Sequence, residues 1–389
     1  MFEVSPSREN TNAEKYTLRK TLFGTENVLP AWVADMDLPT PSFVLEAIQK
    51  RLSHPIMGYE EFPDLAKQAQ IEWIKRHHHI TLEKELILYS HSVVASMSVF
   101  IQAFSKKEDE IIVQTPVYPP FFHQVTQNGR KVLKNPLKKD QNGIYRFDLE
   151  DLKSKITPKT KLLLLCNPHN PVGRAWSKEE LQELLDICKK NDILIFSDEI
   201  HSDLVFAPHK HTPLLSLQGA KKIVVSAYGV GKTFNMAGFA ISTICFADQK
   251  LFKRYKEVYD AIHFAQGATL SHVAFQSAYT QGDEWLKELK AHLWHNYTKL
   301  LKALKPYNHL IQITPLEATY LAWLDCKKMQ LGDRKLRKWF IEEVKLGLNP
   351  GIAFGREGSG YMRLNFAVSS QMMDAIINRL TKGLTCYET

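Results

Sequence analysis

Short apolar runs alternate with amphipathic stretches along most of the 389-residue chain. The run KLLLLC at 161–166 shows no alternation of polar and apolar positions, which is typical of a strand buried on both faces of a sheet. Ser177 and Glu180 then form the sequence pattern of a capping box, which predicts an amphipathic helix ending near Lys190. The apolar run at 193–197 predicts the next strand. Further strands are predicted at 111–114, 223–226 and 240–246.

This alternation predicts an α/β fold, in which a mostly parallel sheet is covered by helices on both faces. The pattern changes after about residue 285, where a long helical stretch precedes predicted strands at 319–324 and 361–366. A second, smaller α+β domain accounts for this change. We therefore predict a large domain at 51–284 and a C-terminal small domain at 285–389. Residues 1–50 are expected to form an N-terminal segment of the small domain and a dimer arm.

The composition indicates a globular protein without a membrane segment. Hydrophobic residues make up 44% of the chain and charged residues 24%, and no apolar run is long enough to span a bilayer. The N-terminus lacks a secretory pattern, and the five cysteines are scattered, which together favour a reducing cytoplasm over secretion, a disulfide framework or a zinc site. The net charge is +8, but the lysines occur as short pairs, so we predict no nucleic-acid partner.

Lys232 lies in a glycine-flanked turn just after the apolar run 223–225, where open α/β sheets bind ligands. The ending Gly-Lys-Thr at 231–233 suggests a P-loop. A P-loop also requires a glycine at position 226, where this chain has Ser226, so the nucleotide interpretation fails. The turn is therefore either an ordinary surface turn or the site of a covalently held aldehyde cofactor.

Polar residues also follow other predicted strands. Asp198 ends an apolar run, where an unpaired carboxylate is costly to bury. Asn170 follows the neighbouring strand, and Tyr118 follows the strand at 111–114. Each residue alone is compatible with an ordinary loop. Several such groups at one edge of a sheet favour a functional site.

Four motifs occur in an order and spacing that resemble the fold type I pyridoxal-phosphate (PLP) enzymes of the class I/II aminotransferase superfamily. They are NPHNPVG at 167–173, SDEIHSDL at 197–204, KTFNMAG at 232–238 and MRLNFA at 362–367. Two more segments, at 29–37 and 116–122, resemble the MalY/PatB branch of cystathionine β-lyases, a group of C–S lyases. The resemblance spans about residues 10 to 370. It implies a mostly parallel, seven-stranded sheet in the large domain and PLP as the cofactor.

The resemblance also implies roles for the residues of the predicted site. Lys232 would bond covalently to the cofactor and act as general base, with a pKa lowered by burial and nearby cations. Asp198 would pair with the ring nitrogen and keep it protonated. Asn170 and His201 would contact the phenolic oxygen, and Tyr118 would stack on the ring.

Substrate and partner contacts follow from the same resemblance. Arg363 would clamp the substrate carboxylate through two parallel hydrogen bonds. Trp32 and Asp35 are expected on the substrate side of the site. Tyr59 would reach the phosphate of the neighbouring subunit's cofactor, which implies a homodimer with shared active sites.

The departures from the family pattern concern the phosphate. A Gly-Val-Val-Pro turn normally opens a phosphate-binding helix, whereas this chain has SVVA at 92–95. The N–H groups of Val93 and Val94 are the candidate donors, because a helix N-terminus has free N–H groups.

Relatives also commonly have serine one and three residues before the lysine. This chain has Gly231 and Gly229 at those positions, so at least one hydroxyl contact is expected to be missing. Ser226 is the candidate replacement from further back in the chain.

The function implied is an α,β-elimination of cystathionine or a cysteine S-conjugate that yields thiol, ammonia and pyruvate. An aminotransferase is the alternative, since it uses the same lysine, carboxylate and arginine. A non-catalytic binding or regulatory protein on the same fold is a third possibility, because the phosphate turn is altered.

Overall fold

The computed structural model describes residues 2–8, 10–264 and 267–388. The α-helices are α1 Glu14–Thr17, α2 Arg19–Phe23, α3 Ser42–Leu52, α4 Asp64–His78, α5 Val93–Phe104, α6 Pro120–Gln127, α7 Leu149–Lys155, α8 Lys178–Lys190, α9 Val230–Thr233, α10 Gln249–Ala261, α11 Thr269–Gln281, α12 Asp283–Leu304, α13 Asp333–Glu342 and α14 Ser370–Glu388. The strands are β1 Leu29–Pro30, β2 Ile87–Ser90, β3 Glu110–Thr115, β4 Lys131–Pro136, β5 Lys138–Lys139, β6 Tyr145–Arg146, β7 Thr160–Cys166, β8 Leu194–Asp198, β9 Val224–Tyr228, β10 Ser242–Cys245, β11 Gln312–Ile313, β12 Leu321–Asp325, β13 Leu346–Gly347, β14 Asn349–Pro350 and β15 Tyr361–Asn365.

The central sheet has seven strands in the order β2-β10-β9-β8-β7-β3-β4. β10 is antiparallel to both of its neighbours, and the ladders from β9 through β8, β7 and β3 to β4 are parallel. The predicted α/β fold with a mostly parallel seven-stranded sheet is therefore confirmed. The five strands predicted for this sheet from sequence are β3, β7, β8, β9 and β10.

The uninterrupted apolar run of β7 is explained by helices on both faces of the sheet. Leu162 and Leu164 pack in one hydrophobic cluster with residues of α5 and α10. Leu163 and Leu165 point to the opposite face and pack in a second cluster with residues of α8. All four side chains are buried, and each contributes about 1.5–3 kcal/mol of hydrophobic stabilisation.

Helix α8 begins where the capping pattern predicts. The Ser177 Oγ accepts a hydrogen bond from the Glu180 N–H at 3.2 Å, and the Glu180 carboxylate accepts one from the Ser177 N–H at 2.9 Å. These two bonds satisfy N–H groups that a helix start otherwise leaves free. The helix buries one apolar face formed by Leu181, Leu184, Leu185 and Cys188.

The C-terminal region forms a second sheet, which is antiparallel and has the order β11-β12-β15-β14. Helix α12 packs against α14 in this part of the chain. The short N-terminal strand β1 pairs in parallel with β13, with Leu29 opposite Leu346. The N-terminal strand is thereby paired with the C-terminal region, whereas helix α3 of the same segment packs against α11.

Strand direction determines where functional groups meet. The parallel strands β7, β8 and β9 all end at one edge of the central sheet. Because β10 runs the opposite way, its first residue, Ser242, lies at that same edge. Within the ranges described above, no helix is long and apolar enough to cross a membrane.

Candidate active site

A cavity opens at the edge of the sheet where β7, β8 and β9 end. Seven of the residues predicted from sequence line it: Lys232, Asp198, Asn170, Tyr118, His201, Val93 and Val94. We call the part formed by Asp198, Asn170 and Tyr118 the carboxylate end. We call the part formed by Ser92, Val93, Val94 and Ser242 the helix end, because it contains the start of α5.

Lys232 lies in the single turn α9, which directly follows β9. Its Nζ donates a hydrogen bond of 2.6 Å to the carbonyl oxygen of Ala34. Burial lowers the pKa of Lys232 to about 8, with a further contribution from Arg363 that Asp35 and Asp198 partly offset. A lysine with this pKa provides a substantial fraction of neutral amine near pH 7, as a nucleophile or general base requires.

Asp198 is the last residue of β8 and is buried. Its carboxylate accepts a hydrogen bond of 3.1 Å from the N–H of Ile200. Burial raises the pKa of Asp198 to about 6, although this hydrogen bond and Lys232 both oppose the rise. Because ionising this buried carboxylate costs free energy, a cationic or protonated ligand group beside it would be stabilising.

Arg363 is buried and is held by three neutral acceptors. Its Nη1 donates to the Asn170 Oδ1 at 3.0 Å, and its Nη2 donates to the Asn349 Oδ1 at 2.7 Å and to the Trp32 carbonyl at 2.8 Å. Its Nε has no hydrogen-bond partner among the described residues. Burial lowers the pKa of Arg363 to about 10. Because this buried guanidinium has no carboxylate partner in the described part of the chain, it favours an anionic ligand group beside it.

Tyr118 and His201 complete the wall near the carboxylate end. The Tyr118 N–H donates to the Asn170 carbonyl at 3.2 Å, and burial raises the pKa of its phenol. Burial, together with Lys232 and Arg363, lowers the pKa of His201 to about 3, so its imidazole is neutral. The His201 Nδ1 is buried without a hydrogen-bond partner in the described part of the chain.

Ala34 and Tyr320 are contacts that the sequence did not reveal. The Tyr320 hydroxyl donates to the Ala34 carbonyl at 2.7 Å, so it shares its acceptor with Lys232. Because this acceptor is a backbone oxygen, no side-chain motif identifies it. The only sequence signal is that Ala34 falls within the segment at 29–37.

Trp32 and Asp35 were expected to contact substrate, and the structure gives their side chains other partners. The Trp32 indole N–H donates to the Lys15 carbonyl at 3.1 Å, and only its backbone carbonyl reaches Arg363. Asp35 forms ion pairs of 2.9 Å with Arg8 and with Lys15. Burial favours a higher pKa for Asp35, but the two cations outweigh it and lower the pKa. Both side chains therefore hold the segment around Ala34 in place.

The helix end forms despite its altered sequence. Ser92 is the N-cap of α5, and its Oγ accepts a hydrogen bond of 3.1 Å from the Ala95 N–H. The N–H groups of Val93 and Val94 donate to none of the residues that the structure describes. The start of a 12-residue helix thus presents free N–H groups to the cavity, an arrangement that favours an anion.

Ser226 lies outside the cavity, so its expected phosphate contact is not supported. It is fully buried in β9, and its hydroxyl donates to the Glu199 carboxylate at 2.8 Å. The Tyr228 hydroxyl donates to the same carboxylate, also at 2.8 Å. A buried carboxylate needs these donors, and they hold Ser226 there.

Tyr59 also lies outside the cavity of this single chain. Its side chain is 93% exposed, on a loop beside a surface depression that His91 and Phe239 also line. Its expected contact with a partner subunit's cofactor stays a prediction.

The fold and the cavity together define an α/β protein in which an amine and a carboxylate line one pocket, and a buried guanidinium lies behind its wall, bonded to Asn170. The sequence model for class I and II aminotransferases matches residues 33–380. The chain belongs to this family.

Individual relatives are similar over almost the whole chain. Cystathionine beta-lyase PatB from Bacillus subtilis is 36% identical over 386 residues, which cover 99% of this chain and 100% of PatB. The structure of PLP-containing cystalysin from Treponema denticola matches with a TM-score of 0.95 and 28% identity over 99% of each chain. The PLP-bound C–S lyase from Staphylococcus hominis matches with a TM-score of 0.91 and 31% identity, again over 99% of each chain. The resemblance found from the motifs is confirmed.

Proposed function

We propose that the protein is a PLP-dependent C–S lyase that eliminates thiol from cystathionine or a cysteine S-conjugate, with ammonia and pyruvate as the other products. The observation that carries the proposal is that two side chains donate hydrogen bonds to carbonyl oxygens of the same backbone segment. Lys232 donates to the carbonyl of Ala34, and Arg363 donates to the carbonyl of Trp32. A proton-accepting amine therefore lies near a carboxylate receptor, which is the arrangement that an α-amino acid requires.

The residues of the cavity fit PLP. The carboxylate of Asp198 suits a protonated ring nitrogen, and the unpartnered His201 Nδ1 provides a free polar contact. The free N–H groups of Val93 and Val94 suit the phosphate. Lys232 is the one lysine among the described residues that line the cavity. PLP, when bound, supplies the electron sink that stabilises negative charge at the substrate Cα.

Lys232 is the group that moves protons in this proposal. Its neutral amine, available because of the lowered pKa, removes the proton from the substrate Cα. The resulting ammonium can return a proton to the departing sulfur. The Ala34 carbonyl keeps the amine within the cavity, and Tyr320 fixes this carbonyl by donating to the same oxygen.

Arg363 binds and orients the substrate carboxylate. Its guanidinium is already held by Asn170, Asn349 and the Trp32 carbonyl, so little further ordering is needed when an amino acid binds. Among the relatives, PatB is a cystathionine beta-lyase that aligns over 99% of this chain, and the Staphylococcus hominis protein is a PLP-bound C–S lyase.

An aminotransferase is the second candidate, because the family also contains such enzymes and uses the same groups. The assay is incubation of the purified holoenzyme with cystathionine in the absence of any 2-oxo acid, followed by measurement of pyruvate and thiol. We expect both products in equal amounts. Turnover that occurs only when a 2-oxo acid is added would identify an aminotransferase. The absence of turnover under both conditions would favour a non-catalytic protein.

We also propose a homodimer in which Tyr59 contributes to the partner's site. Exposed apolar side chains near it support this proposal: Leu52, Ile56, Met57 and Leu65. Mixing a Lys232→Ala variant with a Tyr59→Ala variant tests it, since a mixed dimer then contains one fully wild-type site. We expect recovery of activity on mixing, and no recovery would contradict a shared site.

The division into a large domain at 51–284 and a small domain formed by 1–50 with 285–389 is likewise a proposal, supported by the pairing of β1 with β13. A cytoplasmic location is proposed because Cys166, Cys188, Cys245 and Cys326 are buried, unpaired thiols. Cell fractionation tests the location, and enrichment in a secreted fraction would contradict it.

A further inference from the structure

The helix end of the cavity has few groups that can bind an anion. Among the described residues that line the cavity, Lys232 is the one Lys or Arg side chain. An anion at the start of α5 must therefore be held largely by neutral donors, and the N–H groups of Val93 and Val94 are two of them. Each additional hydroxyl at this end then has a large influence on affinity.

Ser242 is the hydroxyl that the fold places at this end. It is the first residue of β10, and it is 1% exposed to solvent while lining the cavity. Because β10 is antiparallel to its neighbours, this first residue lies at the edge where β2 and β9 end. Ser242 pairs with Ser90, only two residues before the N-cap of α5.

The hydroxyls of the neighbouring serines form short hydrogen bonds within the local structure, whereas the Ser242 hydroxyl forms a longer one. The Ser90 Oγ donates to the Ser92 carbonyl at 2.9 Å and contacts the Ser96 hydroxyl at 2.5 Å. The Ser92 Oγ caps α5 through the Ala95 N–H. The one hydrogen bond found for the Ser242 hydroxyl within the described chain is a long contact of 3.3 Å to the Ser90 carbonyl. This hydroxyl can turn toward a better acceptor at little cost.

Gly229 has no side chain, which leaves room for the Ser242 side chain of β10 at the helix end. Thr243 pairs with Tyr228, so Ser242 lies opposite Gly229 in the antiparallel ladder. A Cβ built on Gly229 would approach the Ser242 Cβ to 3.2 Å and the Ile241 carbonyl to 3.4 Å. The side chain of Ser242 therefore occupies the space that a side chain at position 229 would need.

We propose that the Ser242 hydroxyl is a phosphate ligand, which donates a hydrogen bond to the PLP phosphate beside the N–H groups of Val93 and Val94. The hydroxyl that the glycine turn before Lys232 lacks is thus supplied from the facing strand. This inference rests on the proposed use of PLP.

The test compares the binding of PLP and of pyridoxal, which lacks the phosphate, to apoprotein, measured by equilibrium dialysis. Ser242→Ala should weaken PLP binding about 10- to 100-fold, the loss expected for a hydrogen bond to a charged group. Pyridoxal binding should stay at the wild-type level. The inhibition constant of inorganic phosphate, measured by competition with PLP, should also rise in the variant.

Thr243→Val is the matched control. Thr243 is the next residue of β10, and its hydroxyl accepts a hydrogen bond from Gln70 in α4. This variant removes a buried hydroxyl from the same strand without touching the cavity, so the preference for PLP over pyridoxal should stay unchanged. A double variant, Gly229→Ser with Ser242→Gly, moves the hydroxyl to the opposite strand and should restore much of the preference lost in Ser242→Gly.

The outcomes separate this inference from the proposed function. An unchanged preference for PLP in Ser242→Ala, or an equal loss of PLP and pyridoxal binding, would overturn the role of Ser242 alone. Wild-type apoprotein that binds neither compound would overturn the proposed function and this inference with it.

Discussion

The two ends of the cavity differ in how closely they follow the sequence motifs of the family. At the carboxylate end, Asp198, Asn170 and Tyr118 occupy the wall as predicted, and Arg363 reaches Asn170 directly. At the helix end, Ser92 and Ala95 replace the glycine and proline of the family turn, and Ser226, the predicted source of a missing hydroxyl, is bonded to Glu199. Even so, the helix end retains free N–H groups and a buried hydroxyl.

This difference follows from the chemistry that each end must provide. A proton-accepting amine, a carboxylate and a guanidinium can each be supplied by only one or two residue types, so the motif positions are restricted. A phosphate needs only N–H and hydroxyl donors, which the backbone or any nearby serine can supply. The helix end can therefore differ in sequence and still present N–H and hydroxyl donors suited to a phosphate.

The largest expected effect is at Lys232. Lys232→Ala removes the group that accepts and returns the proton, so kcat for elimination should fall on the order of 10²–10⁴-fold. The exposed Lys222→Ala serves as a control and should keep wild-type turnover. The measurement is pyruvate release from cystathionine under saturating PLP. Turnover of Lys232→Ala close to that of wild type would contradict the role of this amine in proton transfer.

Arg363 should give the next largest effect. Arg363→Ala removes the receptor for the substrate carboxylate, so KM should rise on the order of 30- to 1000-fold while the affinity for PLP stays near that of the wild type. Arg363→Lys keeps the charge but not the paired geometry, so its KM should lie between the values for wild type and Arg363→Ala. KM comes from steady-state kinetics, and PLP affinity from dialysis. Equal losses of substrate and PLP affinity would contradict the clamp role.

The ionised carboxylate of Asp198 should lower the unfolding free energy of the apoprotein although elimination requires it. Its pKa is raised from 3.8 to about 6, so the folded apoprotein binds this proton more tightly than the unfolded chain. The unfolding free energy contributed by Asp198 therefore falls as pH rises from about 4 to about 6 and stays low above that range. Asp198→Asn does not titrate, so above pH 6 its apoprotein should be more stable than wild type by about 3 kcal/mol.

Urea unfolding of both apoproteins near pH 4 and near pH 7 measures this difference, which should appear only at the higher pH. The same variant should lose elimination activity, because the carboxylate is absent. An equal stability difference at both pH values would contradict the burial of an ionised Asp198.

The smallest effect concerns the glycines of the helix end. Gly229→Ala should lower the unfolding free energy by about 1–3 kcal/mol, because its Cβ would meet Ser242 at 3.2 Å. Gly231→Ala meets only Ala237, at 3.4 Å or more, and should change stability by less than about 1 kcal/mol. Urea unfolding of the two variants checks the contrast. Equal losses of unfolding free energy in the two variants would mean that the strand facing Gly229 does not restrict this position.

Much of the fold and half of the site follow from local sequence patterns. The unbroken apolar run of β7 predicts a doubly covered strand, and Ser177 with Glu180 predicts the start of α8, because both signals depend on nearby residues. Lys232, Asp198 and Asn170 are predictable because each follows a recognisable strand. Their assembly at one edge then follows from parallel pairing.

The remaining features depend on contacts between distant segments. The Ala34 carbonyl reaches Lys232 across 198 residues of sequence, and a backbone acceptor has no residue signature. Asp35 is drawn to Arg8 and Lys15, and Ser226 to Glu199, through pairings that no local pattern specifies. Ser242 reaches the cavity only because β10 is antiparallel, a feature of topology that the residues of this strand do not indicate.

The central claim is that Lys232 holds the cofactor in this cavity. Borohydride reduction of the holoenzyme fixes PLP to the lysine that carries it, and mass spectrometry of the digested protein then locates the modified peptide. We predict that the modification lies on Lys232 and disappears in Lys232→Ala. Modification of another lysine in the wild-type protein, with Lys232 unmodified, would contradict the account.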